Sequence, residues 1–77
     1  MPDRLAEIFA TVLRVDAETL NDESSPENIQ SWDSMNAIRL VTAIEESFNV
    51  ELTTSEIMRM RTLGLARDVL RRKGVSL

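Results

Sequence analysis

The two side chains that supply most acid–base, nucleophilic and metal-binding chemistry are missing from this 77-residue chain, which has no cysteine and no histidine. Without cysteine there is no disulfide framework and no thiolate metal site. Without histidine the commonest general base and the commonest metal ligand are both gone. Glycine occurs only twice and aromatic residues make up 4% of the chain, so there is no glycine-rich phosphate loop and no aromatic ladder for nucleic acid. No apolar run approaches the roughly 20 residues that cross a bilayer. The first residues, MPDRLAEIF, lack the basic-then-apolar order of a signal peptide. These absences predict a cytoplasmic protein with no membrane span and no bound metal.

What is present is globular: hydrophobic residues are 43% and charged residues 29%, outside the range of disordered chains. Residues 1–77 are expected to form one domain, monomeric and close to the lower size limit for unaided folding. A chain of this size buries roughly 60–65% of its unfolded surface, enough for one core and too little for a deep catalytic cleft. The net charge of −4 is unevenly spread. Residues 1–58 hold twelve acids and three bases, and residues 59–77 hold six bases and one acid. The acidic body disfavours nucleic acid and fits partners with basic surfaces. The basic tail reads as a complement to the dipole of a last helix.

The apolar pattern is helical throughout. Leu5, Ile8, Phe9, Val12 and Leu13 make one stripe, with Asp3 as N-cap. A polar stretch from Asp16 to Asp33 follows, unusually long for a small domain, with Val15, Leu20, Ile29 and Trp32 as its apolar anchors. A second helix is predicted from Ser34 to Phe48, with Ala37, Leu40, Val41, Ile44 and Phe48 inward and Asn49 as a left-handed stop. Thr53 and Glu56 spell a capping box for a short helix to Met60 that offers Ile57, Met58 and Met60 to the core. Thr62 caps a last helix whose apolar face is Leu63, Ala66, Val69 and Leu70, and Gly74 ends it. No segment alternates long enough for a strand. The expectation is an all-α, four-helix bundle: three longer helices, one short one, and a long loop carrying Ser34 to an exposed helix N-terminus.

Asp33-Ser34 at that N-terminus reads first as helix punctuation, since both residues cap well. A serine hydrolase is excluded, because no base is available to activate Ser34. A serine that is acted upon is different: phosphate attached there meets backbone N–H groups and the positive end of the helix dipole.

Asp33-Ser34-Met35, continued by Asn36-Ala37-Ile38-Arg39-Leu40-Val41-Thr42-Ala43-Ile44-Glu45-Glu46-Ser47-Phe48, resembles the core of the acyl carrier proteins. The resemblance covers nearly the whole chain. It implies a protein that is not an enzyme, with 4′-phosphopantetheine moved onto Ser34 from coenzyme A by a phosphopantetheinyl transferase. The arm's thiol would hold an acyl or aminoacyl intermediate as a thioester, so the missing cysteine is supplied by the cofactor. It also implies that Asp33 assists the transfer. Met35, Asn36, Ile38, Arg39, Thr42, Glu45 and Glu46 would face partners: the transferase, a loading ligase or transferase, and downstream biosynthetic enzymes. Carriers of fatty-acid synthesis place acids along this helix, whereas this chain has Asn36 and Arg39, and Trp32 precedes its motif. Those departures point to a stand-alone carrier of a specialised pathway: polyketide, nonribosomal peptide, modified lipid or polysaccharide. A peptidyl or D-alanyl carrier is the alternative within the family. An unmodified helical interaction module is the alternative outside it.

Overall fold

A computed structural model describes residues 2–77. Helix α1 spans Arg4–Leu13, α2 Ser34–Phe48, α3 Thr54–Arg59 and α4 Leu63–Arg72, with one 3-10 turn at Ala17–Thr19 in the long loop. No strand occurs among the described residues. The all-α architecture with three longer helices and one short one is as expected.

Each helix begins on a side-chain oxygen that accepts a backbone N–H otherwise left without a partner. Asp3 accepts from Ala6, Asp33 from Asn36, Thr53 from Glu56 and Thr62 from Leu65. The capping box closes, since Glu56 in turn accepts the N–H of Thr53. Asn49 and Gly74 end α2 and α4 at positive φ, 54° and 85°. Arg14 does the same for α1 at 59°, in a region that costs an ordinary side chain about 1–2 kcal/mol.

Three helices and one loop residue build the core. Leu5, Phe9 and Leu13 of α1, Leu40 and Ile44 of α2, Leu63, Ala66 and Leu70 of α4, and Trp32 are buried together. Ile8, Val12, Ala37 and Phe48 pack on its edge, and so do the loop anchors Val15, Leu20 and Ile29. Helix α3 departs from expectation. Ile57 and Met58 are 38% and 71% exposed rather than buried, and Met60 alone of the three packs against the core. A six-residue helix cannot lay a full apolar face on its neighbours. It is held at its ends instead, by Leu52 and Met60 on the core and by the Lys73 ammonium bonded to both Glu56 carboxylate oxygens at 3.0 and 3.1 Å.

The long loop is fastened to α4. The N–H groups of Leu63 and Gly64, at the start of α4, donate to the carbonyls of Ser24 and Asp22, each at 3.0 Å. Helix donors that need partners thus find them on the loop. Gly64 makes this approach possible, because a Cβ there would stand 2.8 Å from Cβ of Asp22 and 3.0 Å from its carbonyl oxygen. Ser24 and Ser25 are buried but satisfied locally: Ser24 Oγ accepts the Asn21 N–H, and Ser25 Oγ accepts that of Glu27.

Arg67 completes the fastening and corrects the reading of the basic tail. Its guanidinium donates through Nε and Nη2 to both carboxylate oxygens of Asp3, at 2.8 and 3.1 Å, and through Nη1 to Asp22. The start of α1, the loop and α4 therefore meet at one half-buried cation. Only Arg71 and Arg72 sit in the last turn, where they complement the dipole.

The Arg67 hydrogen bonds hold the Asp3 carboxyl below its ordinary value of 3.8, with help from the Ala6 N–H and against partial burial. The unfolded chain therefore binds this proton more readily than the folded one. The resulting stabilisation is present above pH 3.8 and is lost as pH falls through the lower folded value. Asp3→Asn keeps a competent cap but loses the charge. Its melting temperature is expected to be lower than wild type at neutral pH, and the gap should narrow on acidification to about pH 3. A gap independent of pH in thermal melts would show that the ion pair contributes nothing.

Candidate functional site

The candidate site is the N-terminus of α2, and the chain leading into it is fixed from behind. Trp32 is 6% exposed and its ring meets Phe9 edge-on, with centroids 5.1 Å apart and planes at 81°. The Trp32 N–H donates to the Ile29 carbonyl at 3.0 Å, and that of Asp33 to the Ser31 carbonyl at 3.0 Å. The Asn36 side chain donates to the same Ser31 carbonyl at 2.7 Å. Asp33 then turns the chain into helix: its Oδ1 accepts the Asn36 N–H at 2.9 Å, and its carbonyl accepts the Ala37 N–H at 2.8 Å.

Ser34 is the first residue of α2 and is exposed. Since Asp33 does the capping, the Ser34 hydroxyl has no structural task. Helix geometry leaves the N–H groups of Ser34 and Met35 without intrahelical acceptors, at the positive end of a 15-residue helix. A phosphodiester on Ser34 fits this setting: an exposed attachment atom, two N–H donors and a favourable dipole. Asp33 spends only Oδ1 on its cap and is itself exposed, which leaves Oδ2 without a protein partner among the described residues, next to Ser34 in the chain. Among the described residues no group of three or more Asp or Glu side chains is arranged to hold a metal ion.

The seven residues expected to face partners divide into two sets. Met35 and Ile38 are 60% and 66% exposed, and Arg39, Thr42 and Glu46 are exposed as well. Helical spacing places these five on one ridge. Asn36 and Glu45 are turned to structural work. Asn36 holds the Ser31 carbonyl, and Glu45 Oε2 accepts the Leu52 N–H at 2.9 Å, fixing the chain that leaves α2. The apolar surface also includes Ile57 and Met58 of α3. The missed signal was the length of α3, six residues between two caps.

Comparison with known proteins bears on the same segment. A family model described as the phosphopantetheine attachment site matches residues 3–68. The acyl carrier protein of Wolinella succinogenes is 33% identical over 69 residues, covering 90% of this chain and 87% of that protein. The acyl carrier protein of Syntrophobacter fumaroxidans is 32% identical over 63 residues, covering 82% and 78%. Among solved structures, the holo acyl carrier protein of Geobacter metallireducens superposes with a TM-score of 0.82 at 28% identity, over 95% of this chain and 86% of that one.

Proposed function

From the premise that this chain belongs to the acyl carrier proteins, carriers of a 4′-phosphopantetheine arm and not enzymes, we propose that Ser34 bears the arm. One observation carries this: Ser34 is an exposed hydroxyl on a rigid helix start, freed from capping by Asp33, inside the matched segment. In the transfer, the Ser34 oxygen bonds to the phosphorus next to the pantetheine of coenzyme A. The phosphorus–oxygen bond to the other phosphate of the diphosphate breaks, 3′,5′-adenosine bisphosphate leaves, and the serine proton passes to the transferase. Once attached, the arm supplies a thiol that holds an acyl group as a thioester. The chain's own residues present the attachment point, stabilise its negative charge and offer a ridge for docking.

The finer reading is a stand-alone carrier of a specialised pathway, with Asp33 assisting the transfer. Its support is the ridge: the α2 first turn holds no acid, and Arg39 puts a positive charge about one and a half turns from its start. Partners with basic docking surfaces would meet repulsion at Arg39.

The test is an intact mass after incubation with coenzyme A, Mg²⁺ and a broad-specificity phosphopantetheinyl transferase. One adduct of phosphopantetheine mass is expected, mapped by peptide fragmentation to residue 34. An unmodified chain across several transferases would favour the interaction-module reading instead.

A further inference from the structure

The charges of the body are segregated in a way that the carrier role alone does not require. Residues 1–58 hold only three bases against twelve acids. One of the three, Arg4, is occupied: it donates to the Ser47 carbonyl at 2.7 Å and lies over the Phe48 ring at 4.6 Å. The other two, Arg14 and Arg39, line one open cleft of about 1020 Å³ between the long loop, the end of α1 and the start of α2. Neither has a carboxylate partner among the described residues. No Asp or Glu lines that cleft. The acids of the adjoining loop, Asp16, Glu18, Asp22, Glu23, Glu27 and Asp33, do not line it and are exposed.

The rest of the lining is neutral and polar where it nears Ser34. Asn28, Ser31 and Asn36 border the cleft, and Ser31 Oγ is buried without a hydrogen-bond partner. Arg39 is braced toward Asn36 by a 3.4 Å contact from Nη1 to Oδ1. Two guanidinium groups without carboxylate partners, in a cleft lined by no acid, select for an anion.

We propose that this cleft binds the free carboxylate of an acyl group tethered at Ser34, so that the carrier is suited to cargo of the malonyl or succinyl class. This rests on the reading of Ser34 as the attachment site. Proximity decides between a tethered carboxylate and one on a partner protein. Ser31 and Asn36, which line the cleft, lie three residues before and two residues after Ser34, so the cleft borders the segment that carries the tether. Two solvent-facing arginines hold a free carboxylate weakly, but a flexible tether raises the effective concentration to the millimolar range.

The experiment uses the ¹⁵N-labelled chain in four forms: apo, holo, and loaded by the transferase from malonyl- or butyryl-coenzyme A. Intact mass confirms each form, and amide and arginine Nε resonances are compared. The malonyl form is expected to shift Arg14, Ser31, Asn36 and Arg39 several-fold more than the butyryl form does. Arg39→Gln should remove that excess and Arg39→Lys should retain part of it. Because Arg39 is exposed, both variants should fold, which circular dichroism checks, and Arg14→Gln gives a second site. Equal shifts from both cargoes, or none from malonyl, overturn the proposal. So does a full shift in the bare holo form, since the anion would then be the arm's own phosphate. These results leave Ser34 as the attachment site intact, whereas absence of any mass adduct removes both readings together.

Discussion

Ser34→Ala is expected to fold as the wild type does and to accept no phosphopantetheine. The structural half follows from the division of labour at the start of α2. Asp33 accepts the Asn36 N–H, so deleting an exposed hydroxyl one residue later removes no cap. Surface changes of this kind stay within about 0.5 kcal/mol. The chemical half is all-or-none, because the nucleophilic oxygen is gone and no cysteine exists in the chain to replace it. Asp33 separates the two roles further. Asn is as good a cap as Asp, so Asp33→Asn should melt near the wild-type temperature. Yet it loses the exposed carboxylate charge next to Ser34, and loading measured as kcat/KM should fall by roughly 10–100-fold, about 1.4–2.7 kcal/mol of lost transition-state stabilisation. Asp33→Ala should show the same kinetic loss plus about 1 kcal/mol of stability. If Asp33→Asn loads at the wild-type rate, Asp33 is a cap and nothing more. An adduct on Ser34→Ala would move the attachment site elsewhere.

The helix starts were legible in the sequence because their causes are local. Asp3, Asp33, Thr53 and Thr62 each satisfy an N–H three residues away, and the apolar stripes of α1, α2 and α4 need only a period of 3.6. The exposed ridge of α2 was legible for the same reason. What escaped depends on partners distant in the chain. Arg67 stands in a basic segment that suggests a helix dipole, but its partner Asp3 is 64 residues away. Gly64 looks like a weak point in a helix, and its reason is the loop backbone pressed against it. Glu45 reads as a surface acid, and only the path of the chain after Asn49 brings the Leu52 N–H to it. The cleft holding Arg14 and Arg39 lies in the same class. Their separation in sequence gives no hint that one loop folds so as to leave both facing a space without acids.

Phe9→Ala is expected to be the most damaging single truncation for the site while touching none of its chemical groups. Phe9 is 1% exposed and forms one side of the T-shaped pair with Trp32. Removing a buried Phe costs about 3–5 kcal/mol, and the aromatic pair accounts for roughly 0.5–1.5 kcal/mol of that kind of loss. Total stability for a chain of this length is on the order of 4–12 kcal/mol, so the variant should lose more than about 12 °C in Tm and be partly unfolded at 37 °C. The damage should also reach Ser34, because Trp32 is the anchor that fixes the loop just before α2. Since Trp32 is the only tryptophan, its emission reports that anchor alone. A red shift is expected in Phe9→Ala under conditions where circular dichroism still shows helix, and loading of Ser34 should slow in parallel. Met35→Ala, at a residue 60% exposed, should leave both melt and emission unchanged. A Phe9→Ala chain with wild-type emission and a melt lowered by only a few degrees would mean that the loop is held chiefly by its bonds to α4. Gly64→Ala would then become the more damaging change, because its Cβ would force Asp22 away.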